Sequence, residues 1–167
     1  KFIKMDHQKS KGIKRGKLNN IDDLSSIINL ICKNVSTKPG KKELFCNITD
    51  PNMITKKTTT KINSGKLGVS KKEIRKIYRK NINESNITGR HLIYTSPHNF
   101  ILDDKSLVSN PLGKKCTKLG LISYNLFVGN EYVNELTSVF KKNKITIKNF
   151  FDSGVASSYS CLDTIQK

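Results

Sequence analysis

Ser96-Pro97-His98-Asn99-Phe100-Ile101-Leu102-Asp103 is the stretch on which the reading turns, and Asn110-Pro111-Leu112-Gly113 follows seven residues after it. Phe100-Ile101-Leu102 is short, apolar and β-prone, which predicts a strand. Leu92-Ile93-Tyr94 predicts a second strand on the far side of Ser96-Pro97, where a proline interrupts a hydrogen-bonded ladder. Asn110-Pro111-Leu112-Gly113 predicts a turn: Pro presets one dihedral, Gly permits a positive φ, and Asn satisfies local amides. The turn is structural first, and its functional value is to hold the loop between Leu102 and Leu119 in a fixed shape that a partner can read. Leu119 to Val128, apolar on both faces, predicts a longer strand.

Upstream, Thr58 to Ile62 predicts a strand and Asn63-Ser64-Gly65 a turn. Val69-Ser70-Lys71-Lys72-Glu73-Ile74 then carries a capping box and a hydrophobic staple, so a helix starts at about Lys71. Its inner stripe is Ile74, Ile77 and Tyr78, with Lys71, Lys72, Lys76 and Lys80 on the wet side. The order is strand, helix, strand, strand. Further upstream Asn20 caps a helix with Ile21, Leu24, Ile27, Ile28, Ile31 and Val35 on one face, ended by Pro39-Gly40. Leu44 to Ile48 reads as a buried strand, and Asp50-Pro51-Asn52 marks a boundary. After Gly129, Asn130 is expected to cap a helix with Val133, Leu136 and Phe140 inside and Lys141, Lys142 and Lys144 beyond its end. Ile145-Thr146-Ile147 predicts a strand, and Asp152-Ser153-Gly154 leads into a last helix with Val155, Tyr159 and Leu162 inward.

The 167 residues suffice for one ordinary domain or two small lobes. No apolar run approaches the roughly 20 residues of a membrane span. Lys1 to Lys17 has no signal-peptide core, and the chain, starting without Met, reads as a piece of something longer. Cys32, Cys46, Cys116 and Cys161 show no metal-ligand rhythm and are expected as reduced, buried thiols of a cytoplasmic protein. The net charge of +18 comes from 27 Lys and only 4 Arg. That imbalance, with 17 Asn and 19 Ile, has the look of AT-rich coding drift more than of a phosphate-reading surface, which favours the guanidinium. Lys56 to Lys80 is the densest basic stretch, ten cations against Glu73. It keeps a basic nucleic-acid-binding module as the alternative function, against which stands its lack of a stacking platform, Tyr78 lying on the inner stripe.

No catalytic, cofactor-binding or metal set emerges. His7, His91 and His98 have no second ligand at helical or strand spacing. Asp103-Asp104 reads as a turn, Ser157-Ser158 lacks a nucleophile elbow, and Gly12-Ile13-Lys14-Arg15-Gly16 reads as a tight surface turn, not a phosphate loop.

Taken in order, these pieces resemble the FtsA family of bacterial cell-division proteins, which have an actin-like ATPase fold. His7 to Gly16 is similar to the family's early turn and Ile21 to Cys32 to the helix after it. Pro97 to Asp103 is similar to its Pro-x-x-aromatic-x-aliphatic-Asp segment, Asn110 to Gly113 to its Asn-Pro-x-Gly turn, and Gly154-Val155-Ala156-Ser157-Ser158-Tyr159-Ser160 to the small-residue helix start. The resemblance covers nearly the whole chain. It implies an α/β fold in which residues 1–48 and 129–167 form part of an actin-like, ribonuclease H-like subdomain 1A. Residues 49–128 would be an inserted α+β subdomain, 1C, of the strand-helix-strand-strand (SHS2) type.

The resemblance further implies a scaffold at the inner face of the cell membrane at the division site. It would link the FtsZ ring to that membrane through a C-terminal amphipathic helix and recruit later division proteins, with 1C serving self-association and partner binding. Asp103, Asp104, Asn110, Pro111 and Gly113 are the candidate protein-interaction residues. ATP and Mg are expected for a full-length parent. They are not expected in this segment, which lacks the family's phosphate-binding loop and its Asp-x-Gly loop.

Overall fold

The computed structural model describes residues 5–35, 42–65 and 67–161. The chain forms two compact units. One combines the described residues up to Met53 with those from Val128 onward, and the other is Ile54–Phe127.

In the first unit, strands β1 (Ile13–Lys14) and β2 (Lys17–Leu18) form a hairpin whose turn residues Arg15 and Gly16 both have positive φ, 50° and 76°. Such a two-residue turn matches the twist of the strands it joins. Helix α1 (Ile21–Val35) starts where the Asn20 Oδ1 accepts from the amides of Asp22 and Asp23, at 3.0 and 3.1 Å. Strand β3 (Lys42–Ile48) pairs in parallel with β8 (Ile145–Asp152), and α3 (Asn130–Lys142) connects α1 to that pair. Leu24 and Ile28 of α1, Val133, Leu136, Val139 and Phe140 of α3, and Ile48, Ile145 and Phe150 of the strands make the buried core. Burying such side chains supplies roughly 1.5–3 kcal/mol each, before conformational entropy is subtracted. Asn143 Nδ2, donating to Ser25 Oγ at 2.9 Å, ties the end of α3 to α1.

Three expectations are corrected here. Asn130 is already helical; the cap position is Gly129, extended at φ −64° and ψ 137° with no side-chain bond, because the preceding strand runs directly into the helix. Leu44 to Ile48 is not buried throughout. Phe45 is 58% exposed and lies 5.8 Å from Phe151, since a pair of strands cannot cover both its faces. Helix α4 (Ser153–Cys161) buries no residue, and Tyr159 is exposed; Leu162 lies outside the described residues.

In the second unit a four-stranded sheet has the order β4-β7-β5-β6, from β4 (Ile54–Asn63), β5 (Arg90–Leu102), β6 (Ser106–Val108) and β7 (Lys118–Gly129, the last two residues of which belong to the first unit). β4 and β7 are antiparallel and in unbroken register from Ile54↔Phe127 to Asn63↔Lys118. Helix α2 (Lys71–Ser85) lies on β4. Leu92 to Tyr94 and Phe100 to Leu102 belong to one continuous strand, not two. Its outer edge is paired with β6 only at Phe100–Leu102, so Pro97 falls where a strand tolerates a missing amide. His98 stands edge-on to Tyr124 at 5.6 Å and Phe100 edge-on to Tyr78 of α2 at 6.1 Å. Tyr124 is on the face away from α2, so two residues of equal parity point to opposite faces and the pleat is interrupted between them.

Under α2, Ile62, Val69, Ile77, Phe100, Cys116, Leu119 and Leu121 form the apolar core. Next to it lies a polar interior. Ser123 Oγ donates to Asn81 Oδ1 at 2.6 Å, Asn81 Nδ2 donates to Thr60 Oγ1 at 3.2 Å, and Asn125 Nδ2 donates to Ser123 Oγ and Thr58 Oγ1. Cys116 is buried, Cys32 and Cys46 are half-buried, and Cys161 is exposed, which corrects the expectation of four buried thiols. Among the described residues, no helix is long and apolar enough to cross a membrane.

Candidate protein-contact site

Leu102–Lys105 is a tight turn closed by the Lys105 amide donating to the Leu102 carbonyl at 3.0 Å, with Asp103 and Asp104 both left-handed at φ 49° and 59°. Asp residues accept that conformation more readily than most, which is why the pair reads as a turn. Asp103 then works inward. Its Oδ1 accepts from Thr117 Oγ1 at 2.7 Å, the Thr117 amide at 2.8 Å and the Lys118 amide at 2.9 Å, while its own amide donates to the Lys118 carbonyl at 3.0 Å. The Thr117 hydroxyl, followed by the two amides, holds its carboxyl below the usual carboxylate range. Asp104 is lowered too, by its hydrogen bond with Lys61, the partner of its salt bridge.

Asn110–Gly113 is a second fixed turn. Asn110 Oδ1 accepts from the Leu112 amide at 3.1 Å, and the Lys114 amide donates to the Pro111 carbonyl at 3.0 Å. Pro111 is fully buried, Gly113 has φ 75°, and Leu112 at the apex stays 45% exposed. Both flanks are bonded to the segment that leads into α2. The Gly113 amide donates to the Val69 carbonyl, and the Val69 amide to the Lys114 carbonyl, both at 2.9 Å. The approach is close enough that a Cβ at Gly68, which has φ 104°, would sit 2.7 Å from the Gly113 carbonyl oxygen.

The α2 start is itself fixed. Glu73 Oε1 accepts from Ser64 Oγ and the Gly65 amide, and Oε2 accepts from the Ser70 amide and hydroxyl; the Glu73 amide donates to Ser70 Oγ at 3.2 Å. These donors, the Ser70 amide foremost, pull the Glu73 carboxyl down to about 2.

Of the five residues singled out from sequence, Asp103, Pro111 and Gly113 shape the surface rather than present themselves on it. Asp104 and Asn110 are exposed but engaged locally. What these turns offer outward is Leu112 and, on β6, Leu107, which is 62% exposed. Sequence reasoning passed over both leucines, although an apolar residue at the apex of a Pro-x-Gly turn was the available signal. It counted Arg75 and Arg79 in the basic stretch from Lys56 to Lys80 without assigning them to the exposed lysine face of α2, which they extend. Among the described residues, no group of His, Cys, Asp and Glu could hold a metal ion.

No protein-family model matches the chain, and no curated protein does. Among solved structures the chain is similar to a PilM–PilN type IV pilus biogenesis complex, at 10% identity and a TM-score of 0.51, covering 91% of this chain. The chain spans about 40% of the length of that solved chain. The likeness shows the fold alone: a mixed α/β chain that shares its fold with part of that solved structure.

Proposed function

We propose that the chain is part of a cell-division scaffold of the FtsA type, working through protein contacts and not through chemistry on this segment. One observation carries the reading. The Ile54–Phe127 unit spends its turn residues on fixing the backbone near two exposed leucines, Leu112 and Leu107, with Asp103 and Gly113 each bonded to backbone. Rigid turns that display apolar side chains suit recognition by another protein, because little conformational entropy is lost on binding. In this reading residues 49–128 are the inserted 1C subdomain and residues 1–48 and 129–167 part of 1A. The longer protein joins FtsZ to the inner face of the membrane, and ATP with Mg is bound by loops outside this segment.

The fold likeness favours one second reading, a scaffold of pilus biogenesis, since the similar solved structure is itself a complex of that process. Both readings predict assembly through protein contact; a basic nucleic-acid module predicts neither. The test is sedimentation velocity of the full-length parent, unaltered and carrying Pro111→Ala with Gly113→Val. The reading expects self-association of the parent to weaken by about fivefold or more in the variant, as for loss of an interface anchor. Unchanged association would remove these turns from the contact.

A further inference from the structure

We infer that the exposed face of α2 is a docking surface for an acidic segment of a partner protein. The inference rests on the reading of Ile54–Phe127 as a protein-contact unit and names the chemistry of one partner. Two sets of the unit's cations differ in what they bond. Lys61 pairs with Asp104; Lys80 pairs with Glu84 at 3.5 Å and donates to the Lys61 carbonyl; Lys56 donates to the Ser85 carbonyl at 3.0 Å. Lys56 and Lys80 bond to backbone along the seam between helix and sheet, and Lys61 is held by Asp104 in the turn before β6. Lys71, Lys72, Arg75, Lys76 and Arg79 instead line an open cleft of about 640 Å³ and have no acidic partner among the described residues. At 100° per residue they occupy one arc of the helix, and from Lys71 to Arg79 they extend over ~12 Å.

The chemistry of the arc selects among anions. Its only apolar side chain is Ile82, so α2 has no hydrophobic face left to enter a bilayer; Ile77 and its neighbours are turned to the sheet. It has no aromatic side chain for base stacking, since Tyr78 packs on Phe100. Nucleic-acid contacts usually add backbone amides, and at the start of α2 the Ser70 and Glu73 amides are already bonded within the capping box. A second copy set arc to arc is disfavoured, because like cations would face one another. An acidic helix fits: its carboxylates at i, i+4 repeat at the spacing of Arg75 and Arg79, whose planar forks can each hold one carboxylate by two bonds.

The experiment is fluorescence anisotropy with the full chain and a labelled helical peptide of Glu pairs repeated on one face. It is run beside a DNA duplex and vesicles rich in phosphatidylserine, at physiological salt. Arg75→Glu with Arg79→Glu should weaken peptide binding by about tenfold or more. Lys141→Glu with Lys142→Glu, a reversal of equal charge on α3, should change it by less than about twofold. Arg75→Gln with Arg79→Gln, which keeps the helix face polar, should fall between and guards against misfolding of the reversal. Equal loss in both reversals would overturn the inference, as would duplex or vesicle binding that is tighter than peptide binding and responds more strongly to the Arg75 and Arg79 changes. Failure here with the turn-dependent self-association intact would overturn this docking surface alone.

Discussion

Replacing Glu73 by Gln tests how the α2 start is held. The carboxylate accepts four hydrogen bonds, from Ser64, Gly65 and twice from Ser70, and is pulled from 4.5 down to about 2. A difference of that size corresponds to ~3 kcal/mol as an upper bound. Water competes for this solvent-accessible group, so we expect a loss of ~1–2 kcal/mol at neutral pH, in line with a capping box. Because the folded-state value lies below the unfolded one, the contribution is fully present above the unfolded value of 4.5 and is lost as pH falls toward 2. Urea unfolding followed by the methyl resonances of Val69, just before α2, and Ile77, within it, both buried, reads the unit that contains the carboxylate. The stability gap between the parent sequence and Glu73→Gln should be constant above about pH 5.5 and close steadily below it. A gap that persists or widens in acid would refute the assignment of Glu73 as an ionised, multiply bonded anchor.

Gly68→Ala drives a Cβ into the Gly113 carbonyl and should accelerate hydrogen exchange at the Val69 and Gly113 amides, whereas Gly113→Ala meets open space and should cost only the ~1–2 kcal/mol of its left-handed backbone. Ser123→Ala strips a donor from buried Asn81 and an acceptor from buried Asn125, and thermal melts should show destabilisation of ~1–3 kcal/mol, well above that of an exposed Ser→Ala change such as Ser138→Ala. Burial pushes the Cys46 thiol up to about 11 while Cys161 is exposed, so at pH 8 a maleimide should label Cys161 about tenfold or more faster than Cys46, and mass spectrometry of the partially labelled chain checks the order.

Much of the helical structure is legible in the sequence because its signals are local. Asn20, and the Ser70 to Glu73 box, fix two helix starts within one turn of the chain, and the apolar spacing fixes the faces of α1, α2 and α3. What fails depends on distant partners. Pro97 splits β5 on propensity, yet the fold tolerates it because β6 reaches only Phe100–Leu102 of that strand's outer edge. Asn81, Ser123 and Asn125 carry no apolar signal, and their burial is permitted only by hydrogen bonds to residues as far apart in sequence as Thr58 and Asn125. The same limit applies at the candidate site. The turns at Asp103-Asp104 and Asn110–Gly113 follow from residue type, but their anchoring to Thr117, Lys118 and Val69 is a tertiary fact, as is the separation of paired from unpaired cations on α2.

Co-pelleting of the full-length parent with polymerised FtsZ, set beside its retention on DNA over a salt series, tests the account most directly. The account predicts that the parent pellets with FtsZ filaments and that its DNA retention vanishes at physiological salt. A parent left in the supernatant with FtsZ, yet held on DNA with a steep salt dependence of several released counterions, would contradict it.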